Sequence, residues 1–189
     1  AVRWNTISYN SVYGAKDFDS QLKNCFNWNH FHHNKIAYWY DPTEELLELE
    51  FDGNLVEHNE IGVKVSDAST IRLTNNTITD GYYGIYLENA SPWVYRNVIK
   101  NNIIGIYSAN SSPRIEENTI TGSDRGIYVE SAAAIEILNN DVREMIIFNS
   151  TVKDISLIDT ETTLVNSTAQ SVNLDKNSNL ITKWFLNVR

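Results

Sequence analysis

The chain has 189 residues, 42% of them hydrophobic, which is enough for one sizeable folded core, and it carries a net charge of −9. This acidic balance argues against nucleic acids and anionic membrane surfaces as partners. The single cysteine, Cys25, excludes an intrachain disulfide framework, and no stretch is long and apolar enough to predict membrane insertion.

Residues 1–53 form an irregular first zone. The tripeptides 5–7 and 34–36 both read Asn-X-Ile, a phrase that recurs further along the chain at a shorter step. Their separation of 29 residues breaks that step, so we predict an insertion between them. Within it, residues 17–24 are expected to form a loop or one helical turn.

Two interpretations compete for the end of this zone. Asp41 followed by Pro42 is typical of a helix start, with a capping side chain and a proline in the first turn. From residue 47 to residue 51, apolar and polar residues alternate, which is the pattern of a half-buried strand. The alternation favours the strand.

Residues 54–148 repeat with a period of 21 or 22 residues. Each repeat contains a glycine followed by isoleucine or valine, at Gly62, Gly84, Gly105 and Gly126. An asparagine precedes each glycine by eight residues and recurs once more, at Asn54, Asn76, Asn97, Asn118 and Asn140. Self-similarity with such a period is the signature of a solenoid.

The pattern inside one repeat is that of strands. Ile85 and Leu87 share one side of the chain and Tyr86 takes the other, a two-residue alternation. About 21 residues are too few for a strand–helix–strand unit, which needs ~30 or more. We therefore predict an all-β fold in which each repeat is one coil of short strands, stacked ~4.8 Å from the next. Equivalent residues then form inward columns, namely Val63, Ile85, Ile106 and Ile127, and Val56, Ile78, Ile99, Ile120 and Val142.

The asparagine and glycine columns are expected at bends. Asparagine tolerates the left-handed backbone region, and stacked side-chain amides can hydrogen-bond along a ladder. The glycines would occupy a second bend, at which a Cβ atom would clash with its surroundings. A third bend is indicated by small residues in register, at Ser69, Ser91, Ser112 and Ala133.

Residues 149–189 form a third zone in which the glycine is missing. Phe148 stands at the position where the next glycine would fall. Short alternating stretches continue, which predicts shorter coils, and residues 180–188 are expected to form a longer strand that closes the stack or leads into another domain. We predict that the three zones form one β-helix domain over residues 1–189.

The phrases Asn76-Thr77-Ile78 and Gly84-Ile85-Tyr86-Leu87, with their equivalents in the next two repeats, resemble a known repeat. It is the right-handed parallel β-helix repeat of the carbohydrate-binding and sugar-hydrolase type, which includes NosD-like proteins. The resemblance covers residues 54–150 and implies a right-handed parallel β-helix with a cell-surface, extracellular or periplasmic location. The paired Asp and Gly-His-Gly phrases of polygalacturonase-like β-helices are absent, so the resemblance implies no particular activity.

Two rows of outward aromatic residues are candidates for glycan binding. Tyr86, Tyr107 and Tyr128 occupy one outward position in successive coils, and Trp93 and Tyr95 lie on another row. Rings spaced ~5 Å apart would form a flat strip on which sugar rings stack, with phenol hydroxyls as hydrogen-bonding groups. The alternative is purely structural, since tyrosine favours strands and stacks on itself.

A histidine group, His30, His32 and His33, is a candidate metal site. His30 and His32 would share one strand face, and two imidazoles at that spacing can ligate a metal ion. The NosD-like resemblance implies copper, but no cysteine or methionine cluster accompanies the histidines. Surface or packing histidines are the alternative, and no other cofactor is predicted.

Catalysis on a polysaccharide would require paired carboxylates. Glu88 and Glu130 share an outward column but lie two coils apart, roughly 10 Å, which is slightly beyond the separation found in inverting glycosidases. A second arrangement would place Asp41 or Glu44 beside the histidines of the first zone. These residues define the alternative hypothesis of a polysaccharide lyase, hydrolase or epimerase.

The sequence favours a non-catalytic extracellular or cell-surface β-helix module with a structural or glycan-binding role. The chain begins at Ala1 without an initiator methionine and with a repeat-like phrase, so we expect it to be a piece of a longer protein. Its partners would be a polysaccharide, neighbouring domains or further copies of the chain, because open solenoid ends and strand edges favour assembly.

Overall fold

The computed structural model describes residues 2–17, 25–42, 49–68, 71–132, 134–142, 144–158 and 160–184. Within these ranges every regular element is a β-strand, and no helix is present that could cross a membrane. In chain order the strands are β1 (Val2–Arg3), β2 (Thr6–Ser8), β3 (Tyr13–Asp17), β4 (Cys25–Asn27), β5 (His30–His32), β6 (Ile36–Tyr40), β7 (Leu49–Asp52), β8 (Leu55–Glu57), β9 (Ile61–Ser66), β10 (Ile71–Thr74), β11 (Thr77–Thr79), β12 (Tyr83–Glu88), β13 (Trp93–Tyr95), β14 (Val98–Lys100), β15 (Ile104–Ala109), β16 (Arg114–Glu116), β17 (Thr119–Thr121), β18 (Arg125–Glu130), β19 (Ile135–Val142), β20 (Glu144–Phe148), β21 (Thr151–Ile158), β22 (Glu161–Val165), β23 (Thr168–Leu174) and β24 (Asn179–Lys183).

Equivalent strands of successive coils pair in parallel and build three faces. Face 1 contains β1, β4, β7, β10, β13, β16 and the first half of β19, and face 2 contains β2, β5, β8, β11, β14, β17 and the second half of β19. Two later strands, β21 and β23, continue β19 across both of these faces. Face 3 is a nine-stranded sheet of β3, β6, β9, β12, β15, β18, β20, β22 and β24. The predicted all-β parallel solenoid is confirmed.

The predicted inward columns are present. Ile85 pairs with Val63 on one side and with Ile106 on the other, Ile127 continues the column, and all four side chains are fully buried. Face 2 contributes a second column that is at most 1% exposed, formed by Val56, Ile78, Ile99, Ile120 and Val142. Burying each such side chain contributes ~1.5–3 kcal/mol, so this stacked interior is the main source of stability.

The asparagine ladder is also confirmed, at the corner between faces 1 and 2. Nδ2 of Asn97 donates to Oδ1 of Asn118 at 2.9 Å, and Oδ1 of Asn97 accepts from Nδ2 and the backbone N–H of Asn76 at 2.9 and 3.0 Å. The same contacts join seven side chains in order, Asn5, Asn29, Asn54, Asn76, Asn97, Asn118 and Asn140. The left-handed conformation belongs to the preceding residue, for example Asn75 or Arg96, which corrects the prediction that the ladder asparagines adopt it. This residue turns the chain so that the next side chain points inward.

A second asparagine ladder, which sequence analysis missed, lies at the corner between faces 2 and 3. Asn10, Asn34 and Asn59 repeat the contacts of the first ladder. Asn34 is therefore equivalent to Asn10, while Asn5 is equivalent to Asn29, and the predicted equivalence of Asn5 with Asn34 is wrong. The first steps along the first ladder are 24 and then 25 residues, and the predicted interval of 29 joined an asparagine of one ladder to an asparagine of the other.

The additional residues of these first coils lie at the corner between faces 3 and 1. β3 ends at Asp17 and β4 begins at Cys25, whereas only residues 89–92 separate β12 from β13. Residues 18–24 and 43–48 lie outside the described residues, and so do most of the predicted loop and of the predicted helix start. The alternation favoured for residues 47–51 is confirmed over its described part, since β7 alternates buried and half-buried residues.

The wider first coils enclose an aromatic core. Tyr38 packs on Phe51 with ring centroids 4.6 Å apart, and Phe31 lies 5.7 Å from the same ring. All three are at most 2% exposed. Large rings fill the greater cross-section here, whereas aliphatic side chains suffice in the shorter coils that follow.

The repeated glycines are the second residues of face 3 strands, directly after the corner between faces 2 and 3. A Cβ atom on Gly105 would lie 2.5 Å from the carbonyl oxygen of Gly126 and 2.6 Å from Cγ2 of Ile120. Gly62 and Gly84 meet the next coil in the same way. The expected clash is confirmed, and it arises from close contact between coils.

The corner between faces 3 and 1 is the predicted small-residue bend. Ser91 and Ser112 are in register there, whereas Ser69 and Ala133 lie outside the described residues. The residue that opens this corner is left-handed and is asparagine in four coils, Asn89, Asn110, Asn149 and Asn166. Small buried residues follow it, so the Asn-X-Ser/Thr sequences at these positions reflect the requirements of the turn.

The last coils are shorter, as predicted. Ser150 and Ser167, which are equivalent, are 17 residues apart. The shortening begins at the corner between faces 2 and 3, where the step from Ile120 to Ile127 is seven residues and the equivalent step from Val142 to Met145 is three. Phe148 pairs with Glu130 and not with a glycine position, so the position predicted for it is wrong. Of the strand predicted at 180–188, residues 180–183 lie in β24, which ends before Trp184, and residues 185–189 lie outside the described residues.

Candidate functional site

A groove of about 630 Å³ lies on the outer surface of face 1. Strand residues form its floor, and residues of the corner between faces 3 and 1 form its wall. The floor includes Arg72, Trp93, Arg114 and Glu136, and the wall includes Ser91, Pro92, Ser112 and Pro113.

The indole of Trp93 is the centre of the groove floor. Trp93 lies on β13 between Arg72 and Arg114, because these three residues share one outward register. The two guanidinium carbons are 5.2 and 5.8 Å from the indole centroid, within the range of cation–π contacts. Tyr95, two residues along the same strand, stacks on the indole with centroids 4.8 Å apart. The half-buried indole is therefore held in one orientation.

Acidic side chains balance the charge of the floor. Nε of Arg114 donates to Oε2 of Glu116 at 2.8 Å, and Nε1–H of Trp93 donates to the same oxygen at 3.3 Å. Glu136 lies 4.0 Å from Arg114 and pairs with Lys153 at 2.5 Å. The hydrogen bond to Glu116 raises the pKa of Arg114, and the hydrogen bond to Glu136 raises the pKa of Lys153, so both cations keep their charge.

The groove wall repeats from coil to coil. The backbone N–H of Ser112 donates to Oγ of Ser91 at 3.3 Å, and the N–H of Ala134 donates to Oγ of Ser112 at 3.0 Å. Pro92 and Pro113 follow these serines and are buried. Equivalent groups are thus presented at the ~4.8 Å spacing of paired strands.

The three tyrosines of the predicted strip share one column on the outer surface of face 3. The ring centroids are 4.9 Å apart for Tyr86 and Tyr107, with planes 24° apart, and 5.8 Å apart for Tyr107 and Tyr128, with planes 4° apart. Nearly parallel rings at this separation overlap in offset stacks. The column therefore presents ring edges and not the flat ring faces that the prediction assumed. Glycan binding by these tyrosines stays a prediction.

The phenol hydroxyls of Tyr86 and Tyr107 remain protonated donors. Burial, supported by a hydrogen bond from the hydroxyl to Glu130, raises the pKa of Tyr107. Burial likewise raises the pKa of Tyr86, and the nearby Glu88 adds to the effect. Lys64 pairs with Glu88 at 3.3 Å and lies 5.2 Å from the centroid of the Tyr86 ring.

The histidines lie at the N-terminal end of face 2 and at its corner with face 3. His30 and His32 both point outward from β5, as predicted, with ring centroids 4.6 Å apart. The Nδ1 atoms of His32 and His33 are 2.9 Å apart, whereas Nε2 of His30 pairs with Glu57 at 2.7 Å. In the part of the chain that the structure describes, no three His, Cys, Asp or Glu residues are arranged to hold a metal ion. Metal binding by this group stays a prediction that requires the side chains to rearrange.

We expect the N-terminal coils to lose stability as the pH falls below ~6.5. Desolvation and the neighbouring imidazoles of His30 and His33 lower the pKa of His32, while Glu57 opposes this and His58 adds to it. Because the unfolded chain then binds the proton more readily, stability is lost from the unfolded pKa of ~6.5 down to the lower folded pKa. Hydrogen-exchange protection of β2 and β5 should decrease over this range. The variant His32→Asn should flatten the decrease, and pH-independent protection in the unmodified chain would contradict the expectation.

Asp41 and the histidines do not form one site. Asp41 follows β6, whereas His33 precedes that strand, so they lie at opposite ends of an element ~17 Å long. Asp41 pairs with Lys16 at 2.9 Å. The predicted arrangement beside the histidines is therefore wrong for Asp41, and Glu44 lies outside the described residues.

The second predicted pair of carboxylates has the expected register. Glu88 and Glu130 flank Ala109 in one outward column of face 3. Each carboxylate already has a partner, Lys64 for Glu88 and the hydroxyl of Tyr107 for Glu130. The two groups therefore serve to neutralise this face and do not converge on a common point.

Comparison with known proteins identifies the fold family. A family model described as a right-handed β-helix region matches residues 39–182. The chain belongs to the right-handed β-helix family. The match begins before and ends after residues 54–150, over which the sequence resembles the β-helix repeat. It includes the coils that form the Trp93 groove. No curated protein and no solved structure matches the chain.

This β-helix also carries exposed aromatic corners that sequence analysis missed. Trp4 is 78% exposed and stacks on Trp28 with ring centroids 5.8 Å apart and planes 15° apart. Both residues have φ of 59°, which is uncommon for bulky side chains. The sequence contained a signal for these corners, because each tryptophan directly precedes an asparagine of the first ladder, Asn5 or Asn29.

Proposed function

We propose that this β-helix is a non-catalytic extracellular or cell-surface module that binds a polysaccharide in the groove around Trp93. The observation that carries the proposal is an indole set between two arginines, within about 630 Å³, beside a wall that repeats in register. The proposed location rests on the resemblance to the carbohydrate-binding and sugar-hydrolase type.

The chemistry of the groove suits a sugar ring, which has apolar C–H surfaces and a rim of hydroxyl groups. The half-buried indole of Trp93 supplies apolar surface that is both large and rigid, and the largely buried Pro92 and Pro113 shape the wall beside it. Arg72 and Arg114 add planar guanidinium groups, whose N–H donors suit hydroxyl and carboxylate oxygens. The site therefore combines both kinds of surface that a carbohydrate requires.

The repetition of the groove favours a polymer over a single sugar. Serine and proline recur at equivalent positions in two neighbouring coils, ~4.8 Å apart along the axis, and arginine recurs two coils apart, on either side of Trp93. A chain of repeated units lying along the axis would meet these contacts in turn. The total affinity would then be the sum of modest local contacts.

The groove carboxylates favour binding over catalysis. Glu116 is engaged by Arg114 and by the indole N–H, and Glu136 is engaged by Lys153. A general acid for sugar hydrolysis instead needs a carboxyl group in an apolar setting that favours its protonated form. Neither glutamate has such surroundings.

Affinity electrophoresis through gels that contain neutral or acidic polysaccharides tests this proposal. We expect at least one polymer to retard the protein, and Trp93→Ala to weaken that binding at least about tenfold, because a central aromatic anchor is lost. Tyr128→Ala is the matched control, since it removes an aromatic side chain from face 3. Circular dichroism verifies that both variants are folded.

Two results would refute the groove as the site. One is that no polysaccharide retards the unmodified protein. The other is that Trp93→Ala leaves binding intact while Tyr86→Ala with Tyr107→Ala removes it, which would assign binding to the tyrosine column.

A further inference from the structure

We infer that the outer surface of face 3 is an interface between two copies of this chain. Its central column is formed in order by Lys16, Trp39, Lys64, Tyr86, Tyr107, Tyr128, Ile146, Thr163 and Ile181, and from Tyr86 to Ile146 it is aromatic and apolar. The outward positions of face 2 are instead rich in threonine, as at Thr77 and Thr119. A contiguous apolar surface of this kind on one face marks an interaction site.

The apolar surface extends beyond the central column. Tyr83 belongs to a neighbouring outward column, in which it is followed by the buried Ile104 and the exposed Arg125, and Tyr82 and Ile103 extend the apolar surface over the edge of the sheet. These last two side chains are 46% and 45% exposed, which is high for large apolar groups. On the opposite side of the central column, Phe148 occupies the next outward position.

Two lysines of face 3, Lys16 and Lys64, are already paired with carboxylates within the chain. Lys64 pairs with Glu88 at 3.3 Å, and Lys16 pairs with Asp41 at 2.9 Å. The remaining carboxylate of the central part, Glu130, accepts a hydrogen bond from Tyr107. Covering this face would therefore leave no unpaired charge among these groups, which removes the main penalty of burying them.

The dimensions of the face fit a dimer. Nine paired strands extend ~40 Å along the axis, and strands of five residues extend ~17 Å across it, which gives roughly 700 Å². Stable interfaces bury ~800 Å² on each partner. The floor of the Trp93 groove lies on face 1, which this interface leaves open, so this inference is independent of the proposed function.

A second copy is the occupant because the face is complementary to itself. A two-fold axis parallel to the strands, passing between Tyr86 and Tyr107, places these tyrosines opposite each other's equivalents. The same operation sets the strand of Lys64 opposite the strand of Glu130, and the strand of Trp39 opposite that of Ile146. Lys64 then faces Tyr128 of the other copy, and Trp39 faces Ile146. Glu130 of the other copy lies two residues, ~7 Å, further along the strand from Tyr128, within reach of the long lysine side chain.

Sedimentation velocity over a wide range of concentration tests the inference. We expect a concentration-dependent dimer, and Ala109→Glu should weaken it at least about tenfold relative to Ala109→Gln, which has the same size without the charge. Ala109 lies at the centre of the face between Glu88 and Glu130, so a new carboxylate would meet the acidic column of the partner. A monomer at every concentration would overturn the inference, and so would a dimer that both variants leave unchanged.

A charge exchange tests the orientation. Lys64→Glu alone should weaken the dimer, and Lys64→Glu combined with Glu130→Lys should restore it. These residues are three coils apart in one chain, ~14 Å, so a restored dimer reports a contact between copies. If the double variant is as weak as the single variant, the proposed two-fold arrangement is wrong.

Discussion

Replacing Asn97 with alanine is expected to lower the free energy of unfolding by about 3–5 kcal/mol. The Asn97 side chain is 1% exposed, and its Nδ2 contacts the carbonyl oxygens of Leu73 and Tyr95 at 2.8 and 3.2 Å in addition to Asn118. Its Oδ1 accepts two hydrogen bonds from Asn76. Alanine would leave several buried donors and acceptors without partners, and each such group costs ~1–3 kcal/mol.

Urea unfolding followed by circular dichroism measures this loss. Asn173→Ala is the matched control, because Asn173 is an exposed strand residue and its replacement should change stability by less than ~0.5 kcal/mol. Equal midpoints for Asn97→Ala and Asn173→Ala would show that the ladder does not contribute to stability.

Replacing Gly105 with alanine is expected to destabilise the fold by about 3 kcal/mol, near the upper end of the effects of overpacking. The new Cβ atom would lie 2.5 Å from the carbonyl oxygen of Gly126 and 2.6 Å from Cγ2 of Ile120. Neither atom can move away easily, because the first belongs to a paired backbone and the second to a filled core column. The strain must therefore separate two adjacent coils.

Gly122→Asn is the control for this prediction. Gly122 is exposed with φ of 68°, and the equivalent residues of the two preceding coils, Asp80 and Asn101, adopt the same left-handed conformation. The added side chain would meet mainly the amide end of Asn101, which can rotate. We expect a change within ~1 kcal/mol in urea unfolding, since asparagine tolerates this conformation. If Gly105→Ala is no less stable than Gly122→Asn, close approach of the coils is not the reason for the glycine column.

The three faces of this solenoid have different chemistry although one repeat builds them all. Face 1 presents arginine, glutamate and Trp93, face 2 presents threonine, and face 3 presents stacked tyrosines. Each face is built from equivalent strands of successive coils. A substitution in one of these strands therefore changes the surface of one face only. Binding and self-association can thus occupy separate faces of the same chain.

The core columns were predictable from the sequence. A period of 21 or 22 residues brings Ile85, Ile106 and Ile127 to equivalent places in successive coils, and alternation along the strand sets which side chains point inward. The amide ladder follows from the same registry. These features depend on spacing alone, which a linear pattern contains.

The N-terminal coils were not predictable in the same way. Additional residues at one corner lengthen the step to 24 and 25 residues, and a second asparagine per coil made Asn34 resemble a repeat of Asn5. Only hydrogen bonding distinguishes the two ladders. The orientation of the tyrosine rings was not predictable either. A spacing of ~4.8 Å allows each ring to lie flat on the surface or to stack on its neighbour, and in the structure the rings stack.

By itself, then, the sequence determined a parallel coiled β-fold, its buried columns and the asparagines and glycines at its corners, because each depends on a repeated interval. Only the tertiary structure decided that two arginines hold Trp93 in a groove, that the histidines separate from Asp41, and that Lys16 and Lys64 pair with Asp41 and Glu88. These features depend on the directions in which the long side chains extend. Those directions are set by contacts with residues of adjacent coils, which are distant in the sequence.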